Sequence, residues 1–311
     1  MWGSETHSGV RAVPDLLSVD RGCYRLAECG GSRRAEEASV TEQSGRNDEP
    51  RTAPILASVS AFFPCYNDSN TISGLVHMAE TALRRITDDY EIIVVNDASK
   101  DNSSAVLKAL KSEMPHLRVV EHEKNRGYGG ALISGFEAAT KDYVFYTDGD
   151  GQYDPSELVN LAAAMLPGVD VVNGYKISRQ DPWYRQIIGS LYQHTTRRLF
   201  GFPIRDVDCD FRLFRRYVFD CLQLESSDGA ICIELVRKLK DSGFRMIEVP
   251  VHHYARAYGT SQFFKPRRIA RALRGVAFWY LRLVLLREQK RRARAWRASP
   301  AAIEGATTSS S

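Results

Sequence analysis

The sequence predicts an α/β domain built on a doubly wound, mostly parallel sheet. Three observations lead there. Short β-branched runs alternate with stretches of helical period along most of the chain. The runs are apolar throughout rather than alternating, as strands covered on both faces are. Each run passes directly into a polar, turn-rich cluster, and doubly wound sheets hold ligands outside the carboxyl ends of their strands.

The elements follow in order. Residues 1–54 are rich in Ser, Gly, Glu and Arg without hydrophobic period, the composition of a disordered leader. Order begins with "ILASVSAFFP" at 55–64, whose strand "SVSAFF" is followed by a helix near 70–86. "YEIIVVND" leads to a helix over 101–113, "LRVVEHE" to one over 128–140, and "DYVFYTD" to one over 155–166. "DVVNGY" supplies a further strand, and the folded domain is expected to span 55–262. Beyond it, "KPRRIARALRGVAFWYLRLVLLREQKRRARAW" sets aromatic and aliphatic residues at helical spacing among arginines. That pattern predicts one basic amphipathic helix over 263–297, lying on an anionic membrane surface, with Trp279 and Tyr280 suited to the interface. A helix packed on the folded domain with a solvated basic face is the alternative. Residues 298–311 read as a disordered tail.

Composition removes several classes. At 43% hydrophobic and 26% charged residues, 311 residues can build a sizeable core. The net charge of +4 is small, and no recognition module accompanies the basic run, so nucleic acid is not expected as a partner. Six cysteines without a Cys-x-x-Cys pair favour a reducing compartment over a zinc site or disulfide framework. The first residues show no apolar signal region, and no stretch reaches the ~18 apolar residues of a membrane span. A cytoplasmic, peripheral protein is expected. "NRGYGGALISG" fails as a dinucleotide loop because Leu132 stands where the third glycine is required. No phosphate-loop motif occurs, and an EF-hand starting at Asp148 fails at Tyr153 and Val159.

What remains is "FYTDGDGQYDP" at 145–155, with three aspartates on one turn at a strand end. Close like charges repel unless a cation compensates them. Asp148 and Asp150 can offer oxygen to a hard divalent ion and Gln152 a neutral oxygen, while Gly149 and Gly151 let the backbone turn tightly. Mg²⁺ or Mn²⁺ held this way completes its shell with substrate phosphates, so a nucleoside diphosphate is the natural guest. Asp154, directly before Pro155, reads as a helix cap instead.

These residues carry a resemblance. "FFPCYND", "IIVVNDASKDNS", "NRGYGGAL", "DGDGQYDP", "DVDCDFRLFRR" and "EVPVHHYARAYGTSQF" occur in the order of the motifs of family 2 glycosyltransferases. Within that family the chain most resembles the polyprenyl-phosphate branch, typified by dolichyl-phosphate mannose synthase. Asp68, Asn96, Ala98 and Asp210 depart from the usual residues. The resemblance implies the GT-A nucleotide-sugar-binding fold and an inverting, metal-dependent hexosyl transfer to a polyprenyl phosphate. It places Pro64, Tyr66, Asp68, Asp97, Asn125, Gly127 and Asp148 around the nucleotide sugar. Asp97 would accept a hydrogen bond from the base, and Asn125 and Gly127 would serve as pocket walls. Asp148, Asp150 and Gln152 would hold the metal.

The "E-D" pair and "Q-x-x-R-W" string of polysaccharide-making relatives are missing. A lipid phosphate, already ionised, needs cationic guides rather than a base. Arg256 and Ser261 match that task, with Arg185 and Arg212 as further candidates; Arg212 pairs equally well with a neighbouring aspartate. Asp150 and Arg256 would carry catalysis. His252 and His253, adjacent on a strand, point to opposite faces and read as structural or pocket-lining. Transfer to a soluble glycan or protein, or a catalytically weak membrane-bound partner that retains the fold, are the alternatives. The lack of a membrane span leaves room for a separate membrane-protein partner.

Overall fold

The computed structural model describes residues 55–179, 183–256 and 266–297, of which 178–179, 183–188, 192, 266–272 and 295–297 by their backbone alone. The expected leader and tail lie outside them. The strands are β1 (Ser58–Cys65), β2 (Asp89–Asn96), β3 (Leu117–Glu121), β4 (Tyr143–Thr147), β5 (Val171–Arg179), β6 (Phe211–Arg215) and β7 (Met246–His253). They form one sheet in the order β3-β2-β1-β4-β6-β5-β7. β6 alone runs against its neighbours, antiparallel to both β4 and β5. The doubly wound, mostly parallel sheet is therefore present, with one reversed strand the sequence did not announce.

The helices are α1 (Ile72–Ile86), α2 (Ser103–Glu113), α3 (Gly127–Ala138), α4 (Leu158–Ala164), α5 (Trp183–Phe200), α6 (Ile231–Ser242), α7 (Pro266–Trp279) and α8 (Glu288–Arg297). α1 shows why they form: Ile72, Leu75, Val76, Ala79, Ala82, Leu83 and Ile86 recur at helical spacing and are buried. α1, α2 and α4 cover one face of the sheet, meeting Val59, Ala61 and Phe63 of β1. α3 and α6 cover the other face, where Phe62 of β1 lies. Gly135 lets α3 approach closely, since a Cβ there would lie 2.3 Å from the Phe62 ring. α6 ends at Gly243, whose φ of 80° supplies the left-handed cap.

Strand order fixes where a ligand can sit. From β1 the chain moves outward to β2 and β3, then returns to place β4 on the other side of β1. The connections diverge between β1 and β4, which opens a crevice at their carboxyl ends.

The C-terminal segment differs from the expected single surface helix. It comprises α7, a π-helical stretch Tyr280–Leu285, and α8, broken at Arg287 with φ 51°. Trp279 (3% exposed), Leu283 and Ala293 are buried, Trp279 and Leu283 in the same apolar cluster as α6. Gln289 donates to Cys221 O at 3.3 Å and Ser242 Oγ at 3.0 Å. Arg282 pairs with Glu225 and Glu288 at 2.7 Å. One side of the segment thus completes the core, which corrects the placement of Trp279 at an interface. Its other side exposes Leu273, Phe278, Leu281, Leu285 and Leu286. Trp279→Ala is expected to cost about 3 kcal/mol of stability, measured by denaturant unfolding. An unchanged midpoint would show that α7 is only loosely attached.

Candidate active site

The crevice between β1 and β4 receives two polar turns. After β1, Tyr66 is exposed, and Asp68 accepts a hydrogen bond from Tyr66 N at 3.0 Å. After β4 comes the acidic turn. Gly149 is required there, because a Cβ would stand 2.5 Å from Pro64 O and 3.6 Å from the Asp68 carboxylate. Thr71, just before α1, donates to Gly149 O at 2.7 Å and ties the two turns together. Pro64 itself is buried at the end of β1, beneath the turn rather than on an open pocket surface.

The carboxylates crowd one another. The Tyr128 hydroxyl donates to Asp148 Oδ1 at 2.7 Å. Burial, with Asp210 and Asp150 close by, holds the Asp148 carboxyl well above the usual carboxylate range. Burial likewise pushes Asp68 up to about 6, with Asp150 adding to the rise and Arg256 opposing it. Asp210 accepts from the Tyr146 hydroxyl at 3.0 Å and from Cys232 Sγ at 3.2 Å.

Asp150 Oδ1 accepts Gln152 N at 3.1 Å, and its other oxygen is paired with the Arg256 guanidinium. Arg256 reaches it through a two-bond clamp just after β7. Tyr254 N donates to Gln152 O at 2.8 Å, and Gln152 Nε2 donates to Tyr254 O at 3.0 Å. Gln152 therefore holds the β7 end on the acidic turn. Asp154 caps the next helical turn, accepting Ser156 N at 2.8 Å. Asp154→Ala should cost only that cap, ~1 kcal/mol in a denaturant melt, with transfer activity retained. A large loss of activity would show that disturbing the turn, rather than losing a ligand, stops transfer.

Several expected ligands prove to be framework. Asp97 is 3% exposed. Its oxygens already accept Arg126 N at 2.7 Å, His122 Nδ1 at 2.7 Å and Gly127 N at 3.0 Å. It holds the start of α3 rather than facing a base. Asn125 joins that framework, donating to Asp97 O at 3.0 Å and accepting Gly127 N at 3.2 Å. Gly127 lies at φ 80° against Ser227 O, a wall with no room for a side chain. Arg212 is fully buried in β6 and donates to Cys209 O at 3.0 Å and to Val207 O. It braces the turn carrying Asp206, Asp208 and Asp210, which corrects its placement as an acceptor ligand. Ser261 and the Arg185 side chain lie outside the described residues. His252 Nδ1 meets Glu157 at 2.7 Å, and the His253 ring lies edge-on to Tyr153 at 5.1 Å, so both have packing partners.

Sequence reasoning missed Tyr128 and Asp210, which bear on Asp148 from other elements, and the Ser226–Ser227 loop. Ser227 O accepts Gly129 N at 3.1 Å, and a Cβ on Gly129 would fall 2.0 Å from Ser226 O. The spacing of the glycines in "NRGYGG" signals that close approach, but not what approaches. A cavity of about 490 Å³ lies between that loop and α7, lined by Ser226, Arg274, Phe278 and Trp279. It does not include the acidic turn, so the site is assigned from its chemistry rather than from cavity size.

Residues 60–223 match the model of glycosyl transferase family 2, a span that carries the crevice, both polar turns and the Asp210 loop. The chain belongs to glycosyl transferase family 2. Solved structures agree on the architecture. Glucosyl-3-phosphoglycerate synthase from Mycobacterium tuberculosis, bound to UDP, aligns with TM-score 0.54 at 17% identity, covering 72% of this chain and 79% of that one. The same enzyme with Mn²⁺, UDP and glucosyl-3-phosphoglycerate aligns with TM-score 0.53 at 17% identity, covering 71% and 80%. Mannosyl-3-phosphoglycerate synthase from Rubrobacter xylanophilus aligns with TM-score 0.53 at 17% identity, covering 73% and 74%. At such identity these likenesses show that the family 2 chain has their fold, the expected GT-A α/β fold.

Proposed function

We propose that this family 2 glycosyltransferase moves a hexose from a nucleoside-diphosphate sugar to a polyprenyl phosphate, using Mg²⁺ or Mn²⁺, on the cytoplasmic face of a membrane. The observation that carries this is the meeting of Arg256 with Asp150 on the acidic turn at the switch point of the sheet. A cation-binding carboxylate pair and an anion-binding guanidinium share one place, as transfer between two phosphate-bearing substrates requires.

The residues fit a divalent ion. Asp148 and Asp150 lie on one turn, and burial, with Asp210 and Asp150 close by, disfavours the Asp148 charge that a dication would favour. Gln152 spends its backbone O and side-chain Nε2 on Tyr254, so only its Oε1 would be left to serve an ion. Among the described residues no group of three His, Cys, Asp or Glu side chains could hold an ion alone. Remaining positions would fall to diphosphate and water, the usual arrangement for Mg²⁺. Solved relatives of the same fold hold UDP with Mg²⁺ or Mn²⁺. When bound, the ion would neutralise charge on the departing diphosphate.

The acceptor follows from what the protein offers. Arg256 can orient an anionic oxygen, and a phosphate is ionised at neutral pH without a base. Direct attack on the anomeric carbon, opposite the leaving diphosphate, should invert its configuration. Anomeric NMR of the product checks this; a retained configuration contradicts direct displacement.

The C-terminal segment supports a lipid. Leu273, Leu281 and Leu285, spaced in multiples of four and 49–61% exposed, stand among exposed Arg274, Arg287, Lys290 and Arg291. No helix among the described residues is long and apolar enough to cross a membrane. The full chain should sediment with anionic vesicles and detach at high salt, because polybasic attraction is screened. Leu281→Glu with Leu285→Glu should weaken vesicle binding at least about tenfold while sparing the Trp279 side. Equal binding by the double variant would remove the membrane from this account.

A small phosphorylated acceptor is the second reading, because the relatives above are named for glycosylated 3-phosphoglycerate. Incubation with labelled nucleotide sugars and either polyprenyl phosphate or 3-phosphoglycerate decides between them. Label only in the lipid fraction supports the proposal, and label only on phosphoglycerate overturns it.

A further inference from the structure

Three buried side chains form a chain of contacts beneath the site. His122, one residue past β3, meets Asp97 Oδ1 through Nδ1 at 2.7 Å and Ser134 Oγ through Nε2 at 2.9 Å. His122 is 7% exposed, Ser134 8% and Asp97 3%. An Asp-His-Ser series invites comparison with a nucleophilic triad. Ser134 is instead buried on the inner face of α3, and neither it nor His122 lines the cavity by Ser226. The series has structural reach instead.

α3 draws little on its own residues at its start: Arg126 makes no side-chain capping bond, Asn125 reaches only Gly127 N at 3.2 Å, and the first turn carries no acidic residue. The free N–H groups of a helix start need acceptors. Asp97 supplies both its oxygens from the end of β2, to Arg126 N and Gly127 N. His122 fixes Asp97 at one ring nitrogen and α3 at the other, about two turns further along the helix at Ser134. The first turn of α3 then delivers the Tyr128 hydroxyl to Asp148.

We infer that His122 is a positioning residue for nucleotide binding. It holds Asp97, and through it the α3 N-terminus and Tyr128, in register with the acidic turn. This rests on the nucleotide-sugar reading of that turn.

Two amides separate the contacts. In His122→Asn the side-chain NH₂ falls near the Nδ1 position and can still donate to Asp97. In His122→Gln it falls near Nε2, so the Asp97 contact is lost. The full chain would be assayed for binding of UDP and of GDP with Mg²⁺ by calorimetry, and for hydrogen exchange at the amides of residues 126–129. His122→Gln should weaken nucleotide binding about tenfold, the loss of roughly one charge-assisted hydrogen bond, and speed exchange at those amides. His122→Asn should stay within about twofold of wild type on both. Ser134→Ala, which like His122→Asn gives up only the contact on the far side of the ring, should also stay within about twofold, and His122→Phe, which keeps a ring but neither polar contact, takes the place of His122→Gln if that variant does not fold. Wild-type affinity and exchange in His122→Gln, or equal losses in the Asn and Gln variants, would overturn the inference. If wild-type protein binds neither nucleotide, the nucleotide reading fails, and exchange at residues 126–129 still decides whether His122 holds α3.

Discussion

Replacing Asp150 by alanine is expected to lower sugar transfer about 10³-fold, with the melting temperature nearly unchanged. A metal ion is worth several kcal/mol at a developing charge, and each ~1.4 kcal/mol is tenfold in rate. Removing one of two carboxylates at the turn should forfeit most of that contribution. The fold has little stake in Asp150. Its partners are the nearby Gln152 N and Arg256, which is 35% exposed, and ion pairs of that kind add little to stability. The measurement is steady-state transfer at saturating Mg²⁺ and Mn²⁺ beside a denaturant melt. Wild-type activity in Asp150→Ala under those conditions would remove the ion from the turn. Comparable loss in Asp154→Ala would show that general disturbance of the turn, not ligand loss, is responsible.

Arg256→Ala is expected to lower use of the acceptor by two to three orders of magnitude while nucleotide affinity changes little. A guanidinium gripping phosphate makes two charge-assisted hydrogen bonds, each worth about 1.5–3 kcal/mol. In the structure the same group rests on Asp150. Occupation of the turn by a dication would compete with that pairing and release Arg256 toward an anionic acceptor. Arg256→Lys keeps the charge without the fork, so it should recover only part of the loss. Nucleotide affinity by calorimetry and acceptor dependence by labelled transfer separate the two substrates. If Arg256→Ala loses the nucleotide but keeps the acceptor, the arginine serves the donor diphosphate, and the assignment of the acceptor side is wrong.

Much of this site was legible because its signals are local. Helix bounds from α1 to α4 fall within three residues of those read from periodicity, and the acidic turn stands at the end of β4 as expected. The Asp154 cap is a short-range pattern and is present. Arg212 shows where legibility stopped. "DFRLFRR" reads equally as a surface arginine or a buried one, and only the insertion of β6 between β4 and β5 places Arg212 opposite Tyr146 and Asn173 inside the sheet. Asp97 is a similar case. Its strand-end position was evident, but whether its oxygens face a ligand or the backbone of α3 depends on a helix that begins 30 residues later.

The sequence by itself determined the alternation of strands and helices, the polar clusters at the strand ends and the paired carboxylates that choose the chemistry. These depend on period, turn-forming residues and charge spacing, which act over a few residues. Tertiary structure alone decided which distant groups share the crevice. It brought Arg256 onto Asp150 across 106 residues, set Tyr128 on Asp148, and turned Trp279 inward while leaving Leu281 outside. An amphipathic pattern says that one face is apolar, not what covers it. The exposure of a charged or aromatic side chain is set by the neighbours that strand order and helix packing supply.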